Sequence, residues 1–156
     1  MSRENAIHKA VRHEATIRAP VDQVFPLLCP VREYEWIDGW RCELVYSRSG
    51  FAEKGAVFTT DFRAEGPSIW TVSRYERDRA IEFVVVFPRS HVMTIEIAAT
   101  PLAPDRTRLV WACSFTSLTG PNAFVEGIDQ ASFDLHQERF DRALEHYCTT
   151  GAMLRR

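Results

Sequence analysis

The sequence predicts an α+β domain in which an antiparallel meander of seven strands is covered on one face by a long C-terminal helix. Three observations carry this. From about Asn122 to Thr150, side chains recur at three- and four-residue steps, placing Phe133, His136, Phe140, Ala143, Leu144 and Tyr147 on one helix face. From Trp40 to Phe115 the chain alternates with a period of two, broken by short turn-forming clusters. Strands joined so tightly pair as antiparallel neighbours, and a sheet wet on one face needs cover on the other. Only the closing helix is long enough to supply it.

Taken in order, residues Met1 to about Lys9 are polar and expected to fray. Ala10–Arg18 alternates Val11, Ala15 and Ile17 against Arg12, Glu14, Thr16 and Arg18, a strand with one wet face. Ala19-Pro20 stops it. Val21, Val24, Phe25 and Leu28 form a short amphipathic helix, kinked by Pro26 and ended by Pro30. Arg32–Ile37 adds one more turn before Asp38-Gly39. Strands then follow over Trp40–Ser47, with Cys42, Leu44 and Tyr46 on one face, and from Ala56 to about Arg63. The next runs from Ser68 to Tyr75, after a break at Glu65-Gly66-Pro67. Ile81, Phe83, Val85 and Phe87 mark a β-branched strand, and His91, Met93, Ile95 and Ile97 one face of its successor. Pro101–Asp105 turns the chain into Leu109, Trp111, Cys113 and Phe115. Asn122 is placed to cap the closing helix. Within that helix Phe124, Ile128, Ala131 and Leu135 point away from the Phe133 set, so the helix bends near Gly127–Ser132 or a short helix runs into a longer one.

Composition narrows the function. A chain of 156 residues without repeats or linkers is one domain, with an ordered core over about residues 10–150. A formal charge of −2, with only Lys9 and Lys54 as lysines, argues against a nucleic-acid surface. Cys29, Cys42, Cys113 and Cys148 lack metal-binding spacing and read as free thiols of a reducing compartment. No apolar run reaches the ~20 residues of a membrane span, and the N-terminus lacks the apolar core of a signal peptide. The expectation is cytoplasmic, without a metal, a cofactor or stable membrane insertion; a monomer and a homodimer fit equally.

Three stretches bear a family resemblance: A-T-I-R-A-P-V-D-Q-V-F (Ala15–Phe25), W-T-V-S-R-Y-E (Trp70–Glu76) and T-P-L-A-P-D-R-T-R-L-V-W (Thr100–Trp111). With the order of elements from about Ala10 to Thr150, they resemble the START-like, or SRPBCC, superfamily. The resemblance implies the helix-grip fold, a curved sheet gripping the last helix around a cavity for apolar or amphipathic small molecules. Its members include polyketide cyclases and aromatases, lipid carriers, metabolite binders and chaperone co-activators. Pro26 departs from the Val-Trp that many members carry in the first helix, and the superfamily has no universal catalytic motif to carry over.

A sheet curving around a helix cannot close on it everywhere; large side chains or a ligand fill the gap. The inward candidates are Trp70, Phe83, Phe87, Met93, Trp111, Phe115, Phe133 and Phe140, read either as plain core or as ligand-binding lining. His91 shares a face with Met93, Ile95 and Ile97, and His136 lies beside Phe133 and Phe140. An apolar setting would keep either histidine neutral and able to exchange a proton near neutral pH, suiting general acid–base catalysis. Taken singly, each is read first as a surface-edge or core histidine bonded to backbone. Asp61 and Arg63 are expected outward if Phe58 and Phe62 point in, and Glu96 outward as well. Trp36 and Trp40 form a pocket rim or clamp the short helices to the sheet. Nucleophile-elbow, phosphate-loop, dinucleotide-binding and HExxH patterns are absent. Cys113 faces inward without a base beside it. Binding of a hydrophobic small molecule is therefore favoured over cyclase, aromatase or dehydratase chemistry through His91 and His136, and over a chaperone-type interaction module.

Overall fold

β1 (His8–Ile17) buries Val11, His13 and Ile17 and leaves Arg12, Glu14 and Thr16 in water, the alternation of a strand covered on one face. The computed structural model of the chain describes residues 7–62 and 66–156. The expected fraying concerns residues that lie in part outside this range; His8 and Lys9 already belong to β1, because β7 pairs with both. Next come α1 (Val21–Val24), a 3-10 turn (Phe25–Leu28) and α2 (Pro30–Glu33). Pro26 removes an N–H that an α-helix would use, and Pro30 opens α2 at its first position instead of only ending what precedes it. The bracket is locked from inside: Trp36, fully buried, donates from Nε1 to Leu27 O at 2.7 Å.

β2 (Glu43–Tyr46), β3 (Val57–Phe62), β4 (Gly66–Glu76), β5 (Ala80–Phe87), β6 (His91–Ala103) and β7 (Arg106–Ser117) complete one antiparallel sheet in the order β1-β7-β6-β5-β4-β3-β2. β2 and β1 are thus its edges. Phe58, Thr60, Ser68 and Val72 are buried on the inner side of β3 and β4, and Asp61 is exposed, as aromatic-in parity requires; Arg63 lies outside the described residues. Three expectations are corrected. β2 has no buried face: Leu44 and Tyr46 are both exposed, since the edge strand lies beyond the cover of the helices. Pro67 falls inside β4, tolerated because pairing with β5 begins only at Ile69. Pro101 belongs to β6, at an irregularity between Pro101 and Ala103.

After β7, Asn122 Oδ1 accepts from Val125 N and caps α3 (Ala123–Glu126). Asp129 then accepts from Ser132 N at 2.8 Å and starts α4 (Gln130–Thr150), which Gly151 ends in the left-handed conformation at φ 73°. The change of apolar face near Gly127 is therefore a short helix followed by a long one. Phe133, Gln137 and Leu144 are the buried residues of α4. No helix among the described residues is long and apolar enough to cross a membrane.

Leu144, fully buried, and Leu135, 64% exposed, sit on opposite sides of α4. Leu144→Ala should cost about 2–5 kcal/mol in urea unfolding, Leu135→Ala no more than about 0.5 kcal/mol. Equal losses would mean that α4 is rotated from the orientation described.

Candidate functional site

α4 is fastened along one flank. His13 on β1 stands between two of its carboxylates, with Nδ1 2.8 Å from Asp134 Oδ1 and Nε2 2.7 Å from Asp141 Oδ2. Arg12 N donates to Gln130 Oε1 at 3.1 Å, Arg18 Nε to Glu145 Oε1 at 3.0 Å and Gln23 Nε2 to Cys148 O at 3.2 Å. The backbone of α4 accordingly lies closest to β1, with a lesser approach to α1. Over the central strands the space is bridged by side chains, and incompletely. Met93 and Trp70 are only half-buried, and Ile95 and Trp111 keep 8% exposure, although Val85 and Leu109 beside them are fully buried.

Aromatic rings wall this interior at both ends. Trp70 stacks on Phe58 at 5.1 Å between centroids and meets Phe83 edge-on at 5.8 Å and Trp40 at 6.3 Å. Its Nε1 donates to Thr60 Oγ1 and Ser68 Oγ at 3.0 and 2.9 Å, so this indole is satisfied. At the opposite end His91 lies between Phe87 and Phe124, with centroids 4.4 and 4.8 Å away, and Phe115 stands near. Phe133 and Phe140 descend from α4, and Phe140 meets Trp36 edge-on at 6.4 Å. Two pockets lie away from this interior. One of about 10 Å³, room for a single water, is lined by Cys42, Phe51, Ala56, Phe58 and Val72. The other, about 450 Å³, is an outer groove between the α1 region and Tyr147.

The titratable groups divide by setting. His91 is 5% exposed; its Nδ1 lies 2.8 Å from Ser90 Oγ and its buried Nε2 has no partner. Asn122 Nδ2 donates to Ser90 Oγ, which leaves the hydroxyl proton for His91 Nδ1 and favours the proton on Nε2. Burial lowers the His91 pKa, so the ring is neutral at pH 7. His136 fares differently. It is exposed, touching Phe140 edge-on at 5.1 Å. Burial of its inner edge, then the charges of Arg139 and Arg156, lowers its pKa. The expectation that His136 points at the sheet is therefore corrected: the inward stripe runs through Gln137, one residue and about 100° of rotation away. His91 and His136 share no contact, and their rings meet different partners. Asp134, still 42% exposed, holds His13.

His13, Glu33, Gln137 and Asp141 went unrecognised in the sequence. Burial opposes a charge on His13, but hydrogen bonds to both carboxylates and their negative charges outweigh it, and its pKa is raised. The bond to His13 lowers Asp134, whereas burial raises Asp141 despite the same partner. Exposure explains the contrast: the Asp134 side chain is 42% exposed, that of Asp141 14%. Glu33 ends α2 three and four residues before buried Trp36 and Ile37, so it shares their inner face. Its carboxyl has no hydrogen-bond or ion-pair partner among the described residues, and burial alone pushes its pKa up to about 8. It is thus mostly a neutral acid at pH 7. The four cysteines are free; burial pushes the Cys113 thiol up to about 12, which leaves it unreactive. Among the described residues no group of three or more His, Cys, Asp or Glu side chains is arranged to hold a metal ion.

Comparison with known proteins agrees with this geometry. The family model for polyketide cyclase/dehydrase and lipid transport proteins matches residues 8–145. No curated protein matches the sequence. Norcoclaurine synthase from Thalictrum flavum superposes with a TM-score of 0.70 at 11% identity, over 94% of this chain and 90% of its own. Ara h 8.0201 gives 0.66 at 13%, over 92% and 99%. DynU16, a protein of the dynemicin biosynthetic locus, gives 0.64 at 21%, over 92% of this chain but 48% of its own, so the present chain spans about half its length. These likenesses show the fold, the seven-stranded sheet with its long C-terminal helix.

Glu33 has a raised pKa when folded, so its contribution to stability is full below about pH 4.5 and is lost as pH rises through about 8. Glu33→Gln should remove that loss, gaining on wild type by on the order of 1–3 kcal/mol between these limits, partial solvent access discounted. Urea unfolding at several pH values measures it; a constant difference between the two proteins would refute the buried acid.

Proposed function

The chain belongs to the polyketide cyclase/dehydrase and lipid transport family, and from that membership we propose that it binds a hydrophobic or amphipathic small molecule between the sheet and α4. The observation that carries the reading is the incomplete closure beneath α4. Met93 and Trp70 face inward by strand parity yet are only half-buried, under a helix fastened along one edge. A folded chain of this length normally seals such positions. Trp70, Phe83, Phe87, Phe115, Phe133 and Phe140 supply apolar lining around them, the composition of a small-molecule site. Four free thiols fit a reducing compartment, and we place the protein in the cytoplasm.

A second reading, a cyclase, aromatase or dehydratase acting by general acid–base catalysis, draws support from two groups. His91 presents a buried, unpartnered Nε2, and Glu33 a neutral carboxylic acid at pH 7. The two lie at opposite ends of the interior, so each supports the reading separately, a neutral imidazole or a protonated carboxyl being able to exchange a proton with a carbonyl-rich substrate. His136, exposed on the flank of α4, is no longer a strong candidate.

The binding reading predicts one-to-one uptake of an apolar probe, seen by native mass spectrometry and by displacement of an environment-sensitive dye. Met93→Trp, which adds bulk where the interior is open, should weaken that uptake about tenfold or more. If neither method detects uptake by the wild type, the reading is lost. For the enzymatic alternative, His91→Ala and Glu33→Gln should each lower turnover of a substrate by about a hundredfold; unchanged turnover in both would remove these residues from the chemistry.

A further inference from the structure

His13 is bonded to carboxylates through both ring nitrogens, and such an arrangement needs a proton to exist. Nδ1 lies 2.8 Å from Asp134 Oδ1 and Nε2 2.7 Å from Asp141 Oδ2. A neutral imidazole carries one N–H, so it can donate to one carboxylate and must turn a lone pair towards the other. Both contacts are bonds only when the three side chains hold one further proton. That proton makes either an imidazolium between two carboxylates or a neutral imidazole accepting from a protonated Asp141. The His13 side chain keeps 9% exposure and that of Asp141 14%, so water is poorly placed to replace a lost bond. Asp141 Oδ1 is already buried and unpaired.

Among the described residues, few other charges reach this cluster. On β1, Arg12 and Glu14 flank His13 in sequence but lie on the outer face, paired with each other at 2.7 Å, and Arg108 of β7 joins Glu14 at 3.4 Å. The register partner of His13 on β7 is the uncharged Trp111. On α3, Glu126 accepts from Asn122 N. From α4 the two aspartates act on the ring, while Glu138 and Glu145 act on Asp141. The cluster is connected outward through Asp134 Oδ1, which also accepts from Gln130 Nε2 at 2.9 Å. Gln130 in turn accepts from Arg12 N and donates to Arg12 O, so the free edge of β1 is tied to the same carboxylate.

We propose that His13, Asp134 and Asp141 form a proton-held latch: one proton keeps the first half of α4 closed on β1, and its loss in mildly alkaline solution releases that half from the sheet edge. The second half stays attached through Arg18 to Glu145 and Gln23 to Cys148 O, so the helix lifts from its N-terminal end. The latch belongs to the fold whatever the interior holds. Its pH range follows from the environment of each group. Burial opposes a charge on His13, but the bonds and charges of both carboxylates prevail and raise its pKa above the ordinary 6.5. A group raised on folding adds stability that is full below 6.5 and lost as pH rises through the folded value. Asp141, raised by burial, acts in the same sense. Asp134, lowered by its bond to His13, adds stability present above 3.8 and lost as pH falls through its folded value. The latch is therefore closed between the acid limit of Asp134 and the raised pKa of His13, and opens above it.

Amide hydrogen exchange of the intact chain reads the latch, followed by mass spectrometry from about pH 6 to about pH 9 and corrected for the intrinsic base-catalysed rate. Protection over Gln130–Asp141 should fall about tenfold or more across this range, while β5 and β6 keep theirs. The midpoint of the fall should coincide with that of the His13 ring, measured by NMR titration. Two variants should depart from wild type in opposite senses. Asp141→Asn sets a permanent N–H opposite Nε2, so a neutral imidazole satisfies both partners and protection stays high at every pH. His13→Gln can donate to only one carboxylate, so protection is low at every pH. A thermal melt identifies a variant that fails to fold; the other then decides, and the coincidence of the two wild-type midpoints decides if neither folds. Wild-type protection that does not change with pH overturns the inference, as does a midpoint apart from that of His13 or a loss shared equally by the central strands. So does a folded Asp141→Asn variant that opens with pH as wild type does.

Discussion

One imidazole sets the position of the long helix. His13 projects from the inner side of β1 and engages carboxylates two helical turns apart on α4. Sliding or rotating the helix by a single residue would break both bonds at once and leave His13 and Asp141, both largely buried, without their partners. The other links along this flank, such as Arg18 to Glu145, are exposed pairs that contribute little. His13 therefore acts as the register pin for α4, and the pin lies at the sheet edge. Every residue that faces the interior from above does so because the helix is held there and not over the middle of the sheet.

A helix pinned to one edge must leave space over the centre, and the side chains divide that space unevenly. Near α2, Trp40, Phe58, Trp70 and Phe83 pack ring on ring and satisfy the one indole donor with two hydroxyls. Near α3, His91 fills a slot between two phenyl rings and keeps a nitrogen unpaired. Between them, Met93 and Ile95 are left with accessible surface. The polar groups at the margins of this zone are neutral histidine, neutral carboxyl and amide, none of which carries a full desolvated charge. His13 and its two aspartates stand together at the sheet edge, each carboxylate within hydrogen-bonding distance of the imidazole.

The architecture was legible because its strands alternate cleanly and its turns carry Gly, Pro and Asp at the right places. Residues whose face follows from strand parity, such as Trp111, Phe115, Val85 and exposed Asp61, stand where alternation puts them. His13 was legible in principle: it shares parity with Val11 and Ile17, and a histidine among buried apolar neighbours signals a partner. Gln137 was obscured by counting apolar side chains, which centred the α4 stripe on Phe133, His136 and Phe140. A polar residue inside an apolar face is invisible to that count, and its inclusion turns the stripe away from His136. Glu33 had no readable signal. It ends a four-residue helix that opens on Pro30, too short for periodicity to assign a face, and its half-burial depends on the tertiary placement of the Trp36 bracket.

The unpaired atoms also bear on why this interior is built to be occupied. Each buried donor or acceptor left unsatisfied costs about 1–3 kcal/mol. Trp111 Nε1, Gln137 Oε1, Asp141 Oδ1 and His91 Nε2 together thus weigh heavily against a net stability of about 5–15 kcal/mol for a domain of this kind. At Trp111 and Gln137 an apolar substitution would remove that penalty, whereas Asp141 and His91 also hold His13 and Ser90 through their other atoms. A ligand that covers Met93 would stabilise the folded state alone. Binding then couples directly to stability, growing as RT ln(1 + [L]/Kd). On this argument half-buried Met93, inward-facing beneath α4, is where a bound apolar ligand would add to the stability of the fold.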